Sequence, residues 1–168
     1  MFIKIKYIFP ALFISLSLIS CGSQRTIADI SSFDDLKAFA ANSEFEIQNQ
    51  WANPMRSGAI SLVTNTNYIR MNKDSVSIYL PYFGVRQMGG GYGSTGGIEY
   101  DGIAKDLEIL EKPNKEKIEI HFSVKNNTEN LLFLITLYKN GSAQTFVTSS
   151  ERDNISYSGK VYKLRIEE

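Results

Sequence analysis

Apolar and polar residues alternate with a period of two through most of this chain, and that alternation restricts the fold more than any other feature of the sequence. In residues 75–80 the apolar positions are Val76, Ile78 and Leu80. Residues 118–124 repeat the pattern. Because successive side chains of a strand point to opposite faces, this pattern predicts strands with one buried face. Turn-forming residues separate the runs, which favours about eight to ten short antiparallel strands.

One helix is predicted before the strands, because the apolar residues between 33 and 40 recur at helical spacing. Ser32 is a suitable N-cap, and the acidic residues that follow it suit the positive end of the helix dipole. The helix is expected to end near Asn42. Its apolar face consists of Phe33, Leu36, Phe39 and Ala40.

Four local features refine the prediction of the strands. Residues 51–54, which end in a proline, are expected to break the first strand. Residues 131–138 are apolar at nearly every position, so we expect a central strand covered on both faces, with the helix as one cover. Asn140-Gly141 predicts a hairpin with a type I′ turn, in which both central residues have positive φ. Gly159 is expected to form a bulge in the last strand.

These elements together predict a mainly β fold of the α+β class. We expect an N-terminal helix followed by a curved antiparallel β-meander or a small barrel. Strands adjacent in sequence tend to pair, and a long sheet curls or closes to remove its exposed edges. A two-layer β-sandwich is the alternative.

Residues 1–20 have the layout of a secretory signal, with Lys4 and Lys6 ahead of an apolar run. That run covers residues 7–19 and is shorter than the ~20 residues that a membrane-spanning helix needs. The only cysteine of the chain, Cys21, follows directly. The residues around Cys21 therefore indicate whether this signal is cleaved.

The sequence Leu18-Ile19-Ser20-Cys21-Gly22 resembles a bacterial lipobox, in which cleavage leaves an acylated cysteine as the first residue. We therefore predict a lipoprotein signal peptide over 1–20, a lipid-anchored tether over 21–29 and a single β-rich domain over 30–168. Several acyl chains suffice for stable anchoring. The expected location is the cell envelope, at the periplasmic face of the outer membrane, since no acidic run follows Cys21. An uncleaved anchor with an incidental cysteine is the alternative.

A glycine- and tyrosine-rich stretch lies between two predicted strands, in residues 79–102, and holds eight of the chain's 12 glycines. Loops held between rigid elements commonly carry binding functions. The residues predicted to bind ligand are Tyr82, Arg86, Tyr92 and Tyr100. The glycines do not form a phosphate-binding loop, because the Gly-Lys-Ser/Thr ending is absent and a strand follows where a helix is required.

Other polar residues permit weaker hypotheses about catalysis. Asp101, paired with Glu99 or Asp106, has the chemistry of a glycosidase carboxylate pair. His121 is the only histidine and could act as a general base. For each of these residues a solvated position on the sheet surface is the simpler interpretation.

Arg152 is the other charged residue of interest, because it lies between two acidic residues. We expect it to pair locally with Glu151 or Asp153, or to bind a ligand carboxylate. Local pairing is the favoured alternative.

Charge and composition exclude several classes of function. Basic and acidic residues number 18 each, and removing Lys4 and Lys6 with the leader leaves 16 against 18, a net charge near −2. No basic patch is visible, so nucleic acid is not an expected partner. With one histidine and one cysteine, no His/Cys metal cluster and no cofactor are expected.

Several short blocks of the sequence form a recognisable set: Leu80-Pro81-Tyr82-Phe83-Gly84, Gly97-Ile98-Glu99-Tyr100, Asn140-Gly141-Ser142-Ala143, residues 149–152 and Ile155-Ser156-Tyr157-Ser158-Gly159. These blocks resemble a family of Bacteroidetes lipoproteins that is known as domain of unknown function 4251. The resemblance covers roughly residues 45–161 and implies a secreted lipoprotein domain, but no activity.

Three functions remain open from the sequence. The first is a non-enzymatic envelope module that binds a ligand or an envelope protein through the loop at 81–97. The second is an envelope hydrolase that uses Asp101 with Glu99, or His121. The third is a structural or assembly factor. A cavity lined by the loop aromatics would favour the first, and an exposed apolar patch would favour the third.

Overall fold

A computed structural model describes residue 28, residues 30–87 and residues 96–164 of the 168-residue chain. The described part contains one α-helix, α1 (Phe33–Asn42), a one-turn 3₁₀ helix (Pro113–Lys115) and ten strands. The strands are β1 (Glu44–Pro54), β2 (Ile60–Ser61), β3 (Tyr68–Asn72), β4 (Ser75–Leu80), β5 (Ile98–Ile103), β6 (Lys105–Lys112), β7 (Lys117–Asn126), β8 (Glu129–Tyr138), β9 (Ser142–Ser149) and β10 (Ile155–Lys163). The predicted leader, its cleavage site and Cys21 lie outside the described residues.

All strand pairs are antiparallel and belong to one sheet, with the order β5-β4-β3-β1-β10-β9-β8-β7-β6. Neighbouring strands in this order are consecutive in sequence except at two places: β1 pairs with β10, and β1 pairs with β3 because the short strand β2 lies outside this order, beside β1. The topology is therefore the predicted meander, joined through its first and last strands.

The sheet curls until it is nearly closed into a barrel, with a seam between β5 and β6. At one end of the seam the Asn126 side chain, at the end of β7, donates to the Glu99 carbonyl of β5 at 2.7 Å. Inward-facing residues from all sides of the curled sheet form one buried cluster. The prediction of a curved meander or small barrel is confirmed, and the sandwich alternative is not what forms.

Helix α1 lies at the end of the barrel where β1 begins, and it packs against β6 and β7. A capping box starts it: Ser32 Oγ accepts from the Asp35 amide, and the Asp35 carboxylate accepts from the Ser32 amide. Leu36 is fully buried, and the Phe39 ring lies 5.6 Å from that of Phe45. We call this the helix end of the barrel.

Strand β1 continues through residues 51–54, where a break was predicted, and that prediction is wrong. The pairing of β1 with β10 shifts at Gln50, which is the extra residue of a bulge. The bulge thus lies opposite Gly159 and not at it. A Cβ on Gly159 would lie 2.1 Å from the Gln48 carbonyl oxygen, so only glycine permits this close approach of the two backbones.

Strand β8 is covered on one face only, which corrects the prediction of two covered faces. Phe133 and Ile135 point into the core, whereas the side chains of Leu132 and Leu134 are 57% and 37% exposed on the outer face. The helix covers β6 and β7 instead. An apolar run alone does not distinguish a strand covered twice from one that presents an apolar outer surface.

The hairpin between β8 and β9 forms at the predicted place but with a different turn. The amide of Gly141 donates to the Tyr138 carbonyl at 3.0 Å, so Lys139 and Asn140 are the central residues. Gly141 has φ +69° and Asn140 has negative φ. This is a three-residue hairpin loop with glycine in the left-handed position, which replaces the predicted type I′ turn.

Replacing Gly141 by Val is expected to lower the free energy of unfolding by about 1–3 kcal/mol, because a β-branched residue is strained at positive φ. Urea denaturation of both proteins measures the change. Gly58→Val is the matched control, since Gly58 has no left-handed φ and no atom within 4 Å of an added Cβ. Equal midpoints for Gly141→Val and the unchanged protein would show that the turn does not require glycine.

Candidate functional site

Two chain segments lie side by side at the end of the barrel opposite the helix. One is residues 81–87, after β4, and the other is residues 150–154, which connect β9 to β10. The amide of Gln87 donates to the Glu151 carbonyl at 2.7 Å, and the amide of Asp153 donates to the Val85 carbonyl at 3.1 Å. We call these two segments the rim, because they form a short antiparallel pairing outside the main sheet.

Arg152 holds the rim to the barrel. Its Nε and Nη2 donate to the two carboxylate oxygens of Glu129 at 2.7 and 2.8 Å, and the two side chains are only 5% and 4% exposed. Its Nη1 donates to the Gly97 carbonyl at 2.9 Å, just before β5. The guanidinium also lies 5.1 Å from the centre of the Tyr82 ring. One side chain thus connects the start of β8, the approach to β5 and both rim segments.

Hydrogen bonds from two tyrosine hydroxyls hold the segment after β4, residues 81–87, in position. The Tyr157 hydroxyl, from the core face of β10, donates to the Pro81 carbonyl at 2.8 Å. The Tyr82 hydroxyl lies 3.0 Å from the Asp153 carbonyl oxygen and 3.1 Å from that of Val85. Because each hydroxyl binds backbone oxygens, the position of this segment is fixed through its main chain.

The charges at the rim shift the pKa values of their neighbours. Burial opposes ionisation of Glu129, but hydrogen bonds from Arg152 and Ser149 outweigh it and hold the pKa of this carboxyl below its usual value. Burial raises the pKa of Tyr157, and burial followed by the nearby Asp153 carboxylate raises that of Tyr82. Glu129 is therefore ionised and both tyrosines are neutral at neutral pH.

A polar groove runs beside the rim, across the outer face of β4 and β5. It consists of two clefts, of about 500 and 540 Å³, that share Tyr79 and Glu99. We call the two clefts together the tyrosine groove. The first cleft is also lined by Asn65, Thr66, Leu80, Pro81, Tyr82, Gly96 and Gly97, and the second by Tyr68, Ser77, Ile78, Tyr100, Asp101, Lys125, Asn126 and Asn127.

Hydrogen bonds hold the ends of the tyrosine groove in place. On one side the buried Asn67 side chain bonds to both the amide and the carbonyl of Asn49, at 2.8 and 3.0 Å, and donates to the Asn65 carbonyl. On the other side Asn126 donates to the Glu99 carbonyl. The loops at 65–66 and 126–127 are thereby fixed relative to the sheet that forms the floor.

The structure brings two of the predicted ligand-binding residues to this groove. Tyr82 lines the first cleft and Tyr100 the second. Arg86 lies at the rim, where its Nη2 is 3.4 Å from the Glu151 carboxylate. Tyr92, like residues 88–95 as a whole, lies outside the described residues.

Arg152 has a different partner from the two that the sequence suggested. Its carboxylate partner is Glu129, 23 residues away, and not Glu151 or Asp153. Glu151 accepts from Thr128 and Arg86 instead, and Asp153 pairs with Arg56.

The carboxylates predicted for a hydrolase are solvent-exposed. Glu99 and Asp101 both point outward from β5, and Asp101 accepts a hydrogen bond from Ser77 at 3.3 Å. Asp106 accepts from Ser123 on β7. These carboxylates contribute hydrogen-bond acceptors to the outer surface.

His121 lies on the outer face of β7, with its Nε2 3.9 Å from the Glu119 carboxylate. Within the described part of the chain, that nitrogen has no hydrogen-bond partner. Ser123, on the same face, donates to Asp106 rather than to the imidazole. Among the described residues, no hydroxyl nucleophile is therefore paired with His121.

A second groove, of about 440 Å³, lies across the seam from β5, over β6 to β9. Its floor is apolar, since Leu132, Leu134 and Phe146 are exposed there. His121, Leu134 and Phe146 are direct cross-strand neighbours. We call this the apolar groove.

The described residues contain no group of three or more His, Cys, Asp or Glu side chains that could hold a metal ion. In the same part of the chain, no helix combines the length and the apolar character needed to cross a bilayer.

Glu129 and Tyr79 are site residues that reasoning from the sequence did not identify. Glu129 follows a turn in an unremarkable polar context, and only the fold places it against Arg152. Tyr79 alternates with the apolar positions of residues 75–80, and its outward position in β4 was the available signal. Its place at the centre of a groove depends on its register opposite Glu99 of β5.

Comparison with known proteins identifies a family and a solved structure of similar fold. The model of the family described as Domain of unknown function (DUF4251) matches residues 28–161. The crystal structure of a DUF4251 family protein from Bacteroides eggerthii DSM 20697 is similar, with a TM-score of 0.59 and 18% sequence identity. The match covers 81% of this chain and 90% of that chain, and at this identity it supports the fold alone. No protein with a curated description matches.

Replacing Glu129 by Gln is expected to lower the free energy of unfolding by about 3 kcal/mol at neutral pH, because the Arg152 charge then stays buried without its carboxylate. The difference should shrink in acid. The folded pKa of Glu129 is depressed, so the pair stabilises fully above the ordinary value of 4.5 and its contribution is lost as pH falls through the folded value. Urea unfolding of both proteins over a pH series measures this.

The double variant Glu129→Leu with Arg152→Met is the control, because it removes both charges and should be more stable than Glu129→Gln. A difference between the unchanged protein and Glu129→Gln that stays constant from neutral to acid pH would contradict the role given to this pair.

Proposed function

This chain belongs to the family described as Domain of unknown function (DUF4251), and from that premise we propose that it is a lipid-anchored envelope protein that binds a ligand in the tyrosine groove. The family description names no activity, so the proposal rests on the site. Its expected action is binding without chemical conversion.

The observation that carries the proposal is that two clefts adjoin at Tyr79 and Glu99, which line both of them. Binding sites are typically concave and largely formed before the ligand arrives. The groove meets this description, because Asn67, Asn126 and Arg152 fix the loops that border it. Pre-formed walls reduce the ordering cost of binding.

The position of the groove suits a protein that is tethered through its N-terminus. The amide of Ala28 donates to the Val161 carbonyl at 3.3 Å, near the end of β10. The tether predicted over residues 21–29 therefore joins the barrel at the helix end. The groove lies beside the rim, at the opposite end, which leaves it accessible when Cys21 carries the lipid at the periplasmic face of the outer membrane.

The hydrolase alternative has less support. Glu99 and Asp101 are exposed on the outer face, and His121 lies over another part of the barrel, in the apolar groove. A catalytic constellation requires a nucleophile, a base and an orienting group within mutual reach. The described residues bring no such set together around either candidate.

A role as an assembly factor is the second candidate, and the apolar groove favours it. Phe146 and Leu132 are 42% and 57% exposed there beside Leu134, and contiguous exposed apolar residues often mark contacts between proteins. The partner would then be another envelope protein. The residues that line the apolar groove are not among those that line the tyrosine groove, so the two can be tested separately.

Replacing Cys21 by Ser should release the protein from lipid anchoring, since the hydroxyl is not acylated by the lipoprotein pathway. We expect the unchanged protein to partition into the detergent phase of an envelope extract and to incorporate labelled palmitate. Cys21→Ser should lose the label. Ser20→Ala, which keeps a small residue before the cysteine, is the control and should keep it. Undiminished labelling of Cys21→Ser would refute the anchor.

The groove itself is tested by fragment screening with NMR on the isotope-labelled protein in detergent micelles. Small polar and aromatic fragments should perturb the amides of Tyr79, Glu99 and Asn126 more than the remainder of the barrel. In Tyr79→Ala these perturbations should fall, whereas in Phe146→Ala they should persist. Perturbations that cluster at Leu134 and Phe146 instead would favour the assembly role and contradict the proposed site.

A further inference from the structure

Tyr79 forms an exposed flat surface in the middle of the tyrosine groove. Its ring is stacked on that of Tyr68, with centres 6.0 Å apart and planes 27° from parallel. The pairing of the two residues across β3 and β4 fixes this arrangement. Tyr79 is nevertheless 40% exposed, so part of the ring remains available to a ligand. A rigid, partly exposed aromatic ring offers stacking area at little entropic cost.

A cation lies over the Tyr68 ring of this stack. The Arg70 guanidinium lies 4.1 Å from the centre of the Tyr68 ring and also pairs with Glu46 at 2.7 Å. Lys125 lines the second cleft. Since Glu46 neutralises Arg70, the cation that lines the groove itself is Lys125, and it shares the second cleft with Glu99 and Asp101. The lining thus carries charges of both signs, and the exposed Tyr79 ring offers its face to an uncharged surface rich in C–H groups.

Uncharged polar side chains border the ring on both sides. Asn65 and Thr66 line the first cleft, and Ser77, Asn126 and Asn127 line the second. Hydroxyl and amide groups both donate and accept hydrogen bonds. A ligand that carries donors and acceptors along its whole length can satisfy them without bringing a charge into the groove.

The two carboxylates restrict the ligand further. Glu99 lies in both clefts and Asp101 in the second, and neither forms an ion pair with another described residue. Ionised carboxylates only accept hydrogen bonds, and they repel anions. A ligand with hydroxyl groups supplies the donors that they need, whereas phosphorylated or sulfated ligands are disfavoured.

We propose that the tyrosine groove binds a neutral oligosaccharide, with one sugar ring stacked on Tyr79 and its hydroxyls bonded to Glu99 and the flanking amides. The proposal rests on the proposed function, because it names the ligand class of the same groove. Two clefts joined at one aromatic ring suit an extended chain of several sugars more than a single sugar.

Isothermal titration calorimetry of the full-length protein, in a zwitterionic detergent without sugar groups, tests the proposal. The probes are maltohexaose, cellohexaose and N-acetylchitohexaose, with hexalysine and a heparin hexasaccharide as charged comparisons. At least one neutral hexasaccharide should bind saturably and more tightly than either charged probe. The same sugar should shift the amide NMR signals of Tyr79, Glu99 and Asn126.

Four variants distinguish the loss of stacking on Tyr79 from a general loss of structure. Tyr79→Ala should weaken the sugar about tenfold or more, as truncation of an aromatic anchor typically does. Tyr79→Phe keeps the stacking ring and should stay within about threefold. Glu99→Gln, at an exposed position, should weaken binding while the fold is kept. Phe146→Ala, in the apolar groove, should leave it unchanged.

Two results would overturn the oligosaccharide proposal while the groove remains a binding site. One is fragment binding at Tyr79 without binding of any neutral hexasaccharide, and the other is tighter binding of hexalysine or the heparin probe. If neither fragments nor sugars perturb the groove, the proposed function fails together with the ligand class.

Discussion

The rim and the tyrosine groove depend on the contacts of one buried group, the guanidinium of Arg152. It is buried, it binds both carboxylate oxygens of Glu129, and it donates to the Gly97 carbonyl beneath the Tyr82 ring. Burying two charges is expensive, and replacing such a pair by apolar residues is often neutral or stabilising. The Arg152–Glu129 pair is therefore better explained by the geometry that it imposes than by a net gain in stability. Because Glu129 holds the guanidinium in place, the contacts of the guanidinium position the Gly97 carbonyl and the Tyr82 ring. Both residues line the first cleft of the groove.

The two ends of the barrel are closed by different kinds of contact. At the helix end, α1 covers the core with Leu36 and Phe39, which is ordinary apolar packing. At the rim, the closing contacts are an ion pair and hydrogen bonds from tyrosine hydroxyls to backbone oxygens. Polar contacts are directional, so they define the shape of the adjacent surface more strictly than apolar packing does. The end with directional contacts is the end that carries the groove.

Local patterns in the sequence predicted most of the strands, because alternation and turn residues act within a few positions. Strand β4 was predicted with its observed bounds. The errors arose where distant contacts decide the outcome. Strand β1 continues to Pro54 because β10 pairs with it past a bulge, and Gly159 permits the close approach. The outer face of β8 stays exposed because the helix packs elsewhere.

The candidate site was predictable only in part, for the same reason. Tyr82 and Tyr100 were identified because they lie near the glycine-rich stretch, and both line the groove. The partner of Arg152 was missed, since Glu129 is 23 residues away in sequence and nothing local marks it. Tyr79 and the flanking asparagines come together only through strand register, which single-sequence patterns do not specify at this range.

Amide hydrogen exchange in Arg152→Met, compared with the unchanged protein, tests most directly whether Arg152 sets the geometry of the rim and the groove. If Arg152 has this role, its loss speeds exchange at residues 82–87 and 97–99, while protection is retained at the helix end, in residues 45–47 and 160–163. Local opening of this kind is measurable apart from global unfolding. Equal protection at the rim in both proteins, or the same loss of protection at both ends of the barrel, would contradict it.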